Sequence, residues 1–197
     1  MFETAIHRVI ERHAATRGES IALIDDSRSL TYRELNHRAN AVARALIGHG
    51  FRRGSVGYVN LARDAGLAIV CLGILKAGGA YALVSGPSWP RGVSFASPPD
   101  NDRRYVVVDV SRALSEPVQG GPNLPVLTRP GDVACALLNE ADEPMLLVPH
   151  ATITALRAQV VPTRPTLSDD AAAFELWLGL MAGVTVVLGA ERALSAA

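Results

Sequence analysis

Residues 56–84 read Val-Gly-Tyr-Val-Asn-Leu-Ala-Arg-Asp-Ala-Gly-Leu-Ala-Ile-Val-Cys-Leu-Gly-Ile-Leu-Lys-Ala-Gly-Gly-Ala-Tyr-Ala-Leu-Val. Two short apolar runs, Val56 to Leu61 and Ala80 to Val84, flank a longer one from Ala65 to Lys76 that ends at Gly78-Gly79. Short apolar runs suit buried strands, and the longer one suits a helix. A crossover this brief between two apolar strands implies a parallel, right-handed βαβ unit. The fold class expected from it is α/β, a mostly parallel sheet with flanking helices.

The flanking sequence extends the pattern. Upstream, Thr31 and Glu34 have the spacing of a capping box, in which each side chain satisfies a free backbone N–H of the other residue. Leu35, Ala39, Val42 and Leu46 then recur at helical intervals until Gly48 and Gly50. Before that helix come a short strand from Ile21 to Asp25 and an amphipathic helix from Phe2 to Ala15, with Phe2, Ile6, Val9 and Ile10 on one face. Downstream, Arg91 to Asp102 reads as irregular and Tyr105 to Asp109 as a strand. Glu116 to Gly131 reads as a Pro/Gly loop, and Val133–Leu138 and Met145–Val148 as strands. Helices are expected to open at Pro149-His150-Ala151 and at Asp169-Asp170, and Val184 to Leu188 is the last strand. The organisation expected is one domain over 1–197, with a first α/β portion at 1–115, the loop at 116–131 and a second portion at 132–197.

Composition excludes several classes. Of 197 residues, 49% are hydrophobic, too many for a disordered chain, and 19 basic residues balance 19 acidic ones. That balance argues against a nucleic-acid partner or an anionic membrane surface. Cys71 and Cys135 lie in apolar runs and form no Cys-x-x-Cys pair, so both read as buried free thiols. The first 17 residues mix charges with apolar positions and contain no export-signal core. The uncharged run from Leu176 to Ala190 is shorter than the roughly 20 residues a spanning helix needs. A soluble, cytoplasmic protein is the expectation.

Four stretches, in order, resemble the adenylation domains of nonribosomal peptide synthetases, members of the adenylate-forming superfamily. They are Leu30-Thr-Tyr-Arg-Glu-Leu35 with Asn36, Ala39 and Asn40; Leu72 to Tyr81 with Pro87-Ser88-Trp89-Pro90 after it; Val148-Pro149-His150; and Phe174-Glu175-Leu176-Trp177 with Leu180, Ala182-Gly183 and Thr185 to Leu188. The resemblance implies the large lobe of an enzyme that activates an amino acid with ATP and loads it onto a carrier protein. It covers the whole chain but only the N-terminal part of such a domain. The family's later landmarks, including its small-lobe catalytic lysine, have no counterpart in it.

The family's phosphate loop, rich in glycine, serine and threonine and ending in lysine, precedes the Val-Pro-His. This chain has Leu138-Asn-Glu-Ala-Asp-Glu-Pro-Met-Leu-Leu147 there, shorter and without glycine, hydroxyl or lysine. Glycines let successive N–H groups turn toward phosphate oxygens. Here Glu140, Asp142 and Glu143 bring negative charge instead, and one like-charge pair at contact costs about 1 kcal/mol in water and about 4 kcal/mol near a protein surface. ATP is therefore not expected to be held in the family's manner, and neither a catalytic residue, a cofactor nor a metal is expected.

The resemblance places Asp170 where the family pairs an aspartate with the substrate ammonium group, so Asp170 is the one candidate substrate-binding residue. As a residue alone, Asp170, with Asp169, reads as a helix cap. Phe174, at a family pocket position, reads as core, and His150, matching a family histidine, as local structure. Lys76, the only lysine, reads as a cation complementing a helix C-terminus. His7, His13, His37 and His49 have no metal-ligand spacing.

The expected function is therefore that of a noncatalytic adenylation-like protein. It would act through protein contacts in secondary-metabolite biosynthesis, as a homodimer or in complex with a biosynthetic protein such as a synthetase module. A split-enzyme half, an amino-acid-binding pseudoenzyme and an inactive remnant are the alternatives. With the family's later segments absent, the Val184–Leu188 strand is expected to present an open sheet edge to a partner.

Overall fold

The computed structural model describes residues 5–96, 105–111, 114, 121–125, 128–139, 141–156 and 172–188. Helix α1 (Ile6–Thr16) leads into an antiparallel pair, β1 (Ile21–Ile24) and β2 (Ser29–Thr31). Helix α2 (Tyr32–Gly48) follows at once. Thr31 caps it as the sequence implies: its hydroxyl accepts the Glu34 N–H, and the Glu34 carboxylate accepts the Thr31 N–H at 2.8 Å.

The expected βαβ unit is present as β3 (Val56–Asn60), α3 (Ala65–Lys76) and β4 (Ala80–Leu83), with β3 and β4 parallel. All twelve residues of α3 are buried, so its apolar surface runs right round it rather than along a stripe. Its N-terminus takes two carboxylates. Asp64 accepts the Gly66 and Leu67 N–H groups, and Asp25, from the β1–β2 turn, accepts that of Ala65. Gly57 lets β3 lie close beneath this helix, since a Cβ there would come 2.8 Å from the Ile74 side chain. Gly73 does the same between α3 and α2, where a Cβ would lie 2.6 Å from a methyl of Val42.

Next come β5 (Gly92–Ala96), β6 (Tyr105–Val108), β7 (Val133–Leu138), β8 (Pro144–Pro149), α4 (His150–Leu156), α5 (Ala172–Ala182) and β9 (Val186–Val187). The large sheet has the order β6-β5-β3-β4-β7-β8 and the small one β2-β1-β9. The class is α/β as expected. Parallel pairing is confined to the central strands β3, β4 and β7 and to β1 with β9, while β5, β6 and β8 join antiparallel.

One expectation is corrected. Residues 92–96 are a strand, not irregular chain, paired antiparallel to β3 with Val93 and Phe95 fully buried. Their period-two alternation was masked by the surrounding prolines.

Long-range contacts fasten the ends of the described chain. His13 meets the Met181 carbonyl at 2.9 Å, Arg17 donates to that of Gly183 at 2.8 Å, and the Tyr32 hydroxyl donates to that of Leu180 at 2.9 Å. These are carbonyls of the last turn of α5 and the residue after it, where the helix no longer supplies its regular donors, and that of Leu180 also accepts the Gly183 N–H at 3.2 Å. Lys76 is buried too, but its partner is a side chain. Its ammonium pairs with the carboxylate of Glu11 at 2.5 Å, and both groups are nearly sealed from solvent. Burial lowers the Lys76 pKa, and the Glu11 charge opposes that.

Candidate functional site

The segment aligned with a phosphate loop is the turn between β7 and β8. Asn139 organises it: its side-chain oxygen accepts the N–H groups of Ala141 and Glu143, at 2.9 and 3.0 Å. Its backbone carbonyl accepts the Asp142 N–H at 3.0 Å, and its own N–H donates to the Glu143 carbonyl at 2.9 Å. Asp142 completes the reversal at φ +57°, in the left-handed region that Asn and Asp tolerate better than most residues. The backbone donors of Asn139, Ala141, Asp142 and Glu143 are thus all engaged within the turn. A phosphate cradle requires such donors to point outward together.

Against this turn lies the Pro87–Pro90 loop. The Trp89 indole N–H donates to an Asp142 carboxylate oxygen at 2.7 Å, and the ring stacks on Tyr58 with centroids 4.8 Å apart. Asn60, at the end of β3, donates to the Trp89 carbonyl at 2.7 Å. Between loop and turn is an open cleft of about 460 Å³ lined by Ser88, Trp89, Pro90 and Ala141 to Pro144. Its wall carries the carboxylates of Asp142 and Glu143, and the lining has no cationic side chain. The one side-chain hydroxyl in this lining is that of Ser88.

The remaining candidates are dispersed. Asp170 lies outside the described residues. Phe174 falls within α5, and its side chain is not described. His150 opens α4, fully buried, and its ring accepts the Ile6 N–H at 3.3 Å. Burial pushes its pKa down to about 4 and lowers that of His7 as well. Cys71 and Cys135 are free and buried, and burial raises the pKa of both, so they are poor nucleophiles. Among the described residues no cluster of His, Cys, Asp or Glu is arranged to hold a metal, and no helix is long and apolar enough to cross a membrane. The roles of Trp89 and Asn139 are not read from the sequence: Trp89 acts through a contact formed only when the hairpin meets the loop, whereas the Asn139 turn is local, and an Asn two and four positions before the N–H groups it accepts is the signal that could have found it.

Residues 10–97 match the model of the AMP-binding enzyme family. Tyrocidine synthase 3 of Brevibacillus parabrevis is 40% identical over 87 residues, 44% of this chain and 1% of that protein. Surfactin synthase subunit 2 of Bacillus subtilis (strain 168) is 28% identical over 210 residues, covering 92% of this chain and 6% of that one. The Klebsiella oxytoca NpsA N-terminal subdomain, solved with 3-hydroxyanthranilyl-AMSN, superposes with TM-score 0.70 at 22% identity, covering 94% of this chain and 53% of that one.

The match over residues 10–97, these relatives and this structural neighbour together support a partial adenylation domain of the adenylate-forming superfamily. It spans only a few per cent of the length of these two curated relatives. The NpsA likeness gives the adenylation-domain fold, and the family match falls on α1 to β5, where the βαβ unit lies. The β7–β8 hairpin lies beyond the family match, which ends at residue 97.

Proposed function

We propose that this adenylation-domain chain is noncatalytic and works through protein contacts in nonribosomal peptide or related secondary-metabolite assembly. The observation that carries this reading is the β7–β8 turn, whose described backbone donors are spent internally and whose carboxylates face the neighbouring cleft. An anion meets no cationic side chain in that lining to offset the repulsion.

The contact half of the reading is supported by β8. It is an edge strand of the large sheet, and Met145, Leu146 and Leu147 are 67%, 52% and 53% exposed along it. An open, apolar edge favours pairing with another chain. The strand β9 is also an edge, of the small sheet, with Val187 partly exposed. In this reading the partner across β8 is a second copy or a synthetase-type protein.

Amino-acid-dependent ATP–pyrophosphate exchange, run with the purified chain, tests the first half. No exchange above background is expected with any proteinogenic amino acid, and robust exchange with one of them would overturn it. Native mass spectrometry of the chain purified from its producing organism tests the second. A dimer or a defined complex is expected, and a bare monomer refutes the contact reading.

A further inference from the structure

Helix α1 begins without a cap of its own. Ala5 stands at the N-cap and offers no side-chain acceptor, so the first-turn N–H groups need partners from elsewhere. One comes from 144 positions away: the Ile6 N–H donates to His150 Nδ1. Acceptance at Nδ1 places the ring proton on Nε2, and that atom is buried with no hydrogen-bond partner among the described residues. The His7 ring stands edge-on to His150 with centroids 5.9 Å apart, and its Nδ1 is likewise buried without a partner.

A second proton on His150 is opposed three times over at this place. It turns Nδ1 into a donor facing the Ile6 N–H, sets a cation against the positive end of the α1 dipole, and does so beside another buried imidazole. The charged groups around the pair are few. From α1 they are Arg8 and Glu11, ion-paired with each other, and from α3 it is Lys76, already paired with Glu11. Asp132, just before β7, is the one carboxylate that favours protonation of His150, and Arg53 already holds it in a two-point ion pair. Strand β8 and residues 176–182 of α5 bring no titratable side chain.

We infer that His150 is an acid-operated latch for α1: the neutral ring holds down the first turn of the helix, and protonation releases it. Release uncovers Ile6, Val9 and Ile10, which are buried in the latched form. It also loosens the helix that holds the end of α5 through His13 and Arg17.

Amide hydrogen exchange of Ile6, Val9 and Ile10, corrected for intrinsic pH dependence, reads the latch directly in the intact chain. An imidazole that titrates normally when α1 is released and is suppressed when it is latched raises the opening constant on the order of twentyfold between pH 7 and pH 5. The variant His150→Asn keeps an acceptor near the Nδ1 position but does not titrate, so its exchange should be flat over that interval. A flat wild type, or the same rise in His150→Asn, overturns the inference. Should the variant not fold, ring 15N shifts of wild-type His150 decide. The Nε2–H form with a midpoint below pH 5, moving together with the Ile6 amide, is expected. A midpoint near 6.5, or one uncoupled from that amide, overturns it.

Discussion

Asp142 accepts the Trp89 indole N–H at 2.7 Å while occupying the left-handed position of the β7–β8 turn. A carboxylate, where the resemblance leads one to expect hydrogen-bond donors to phosphate, thus ties the turn to the Pro87–Pro90 loop. Asp142→Ala removes the acceptor and puts a less tolerant residue at positive φ. A loss of about 1–2 kcal/mol in urea denaturation is expected. Asp142→Asn keeps an acceptor and tolerates the conformation, so it should lose less than half as much. Equal losses would mean that the bond to Trp89 contributes nothing.

The Lys76–Glu11 pair makes a prediction of opposite sign for one and two substitutions. Lys76→Met leaves the buried Glu11 carboxylate with only the half-exposed Arg8 for a partner, and a loss of about 3 kcal/mol is expected. The double variant Lys76→Met with Glu11→Leu removes both charges and should recover most of it. Denaturant midpoints of the two variants decide, and a double variant weaker than the single one would show the pair to be intrinsically stabilising.

Gly73→Ala separates helix propensity from packing. In an exposed helix the change stabilises by about 1 kcal/mol. Here the new Cβ meets Val42 on α2, so a net loss of about 1–3 kcal/mol is expected instead. Val42→Ala in the same chain makes room and should cancel part of that loss. If the single variant gains stability, the α2–α3 contact is looser than described.

Acid lability should precede carboxylate titration. His150 has a folded pKa of about 4, below the ordinary value of 6.5, and that of His7 is lowered too. Between those values the unfolded chain binds protons that the folded chain refuses, so stability falls as pH drops from 6.5 toward 4. The loss is about 3 kcal/mol for His150 alone. Asp132 acts lower: its folded pKa is about 2, because Arg53 donates hydrogen bonds to it, so its contribution is lost only below the usual carboxylate range. Denaturation midpoints between pH 7 and pH 4.5 should fall steadily, and a level profile contradicts the burial of these rings.

The βαβ unit was legible because local composition alone specifies it: three apolar runs with a glycine pair between the last two. The same holds for the Thr31–Glu34 cap, whose partners are three positions apart. By contrast, β5 was hidden among prolines, and β8 was recognised as a strand but not as an exposed edge. The chemistry of the β7–β8 segment could be read as an absence of glycine, hydroxyl and lysine. What occupies the space, an Asn139-centred turn bound to Trp89, could not. The structural reading of Lys76 gives no hint of its partner Glu11, which lies 65 positions upstream on the buried face of α1. His150 likewise gave no sign of Ile6. Pairings across such distances have no sequence period and appear only once the elements are packed.

The clasp around the last turn of α5 has a consequence for biosynthesis of the protein. Its donors, His13, Arg17 and Tyr32, leave the ribosome some 150 residues or more before the carbonyls they hold. At ordinary elongation rates that is an interval of about 8–30 s. During it α1 has neither its latch on His150 nor its grip on α5, and only α2 and α3 are there to cover its apolar face. Helix α1 is thus among the last elements to be fixed, and until α5 emerges the nascent chain is open to misassociation or to chaperone capture there.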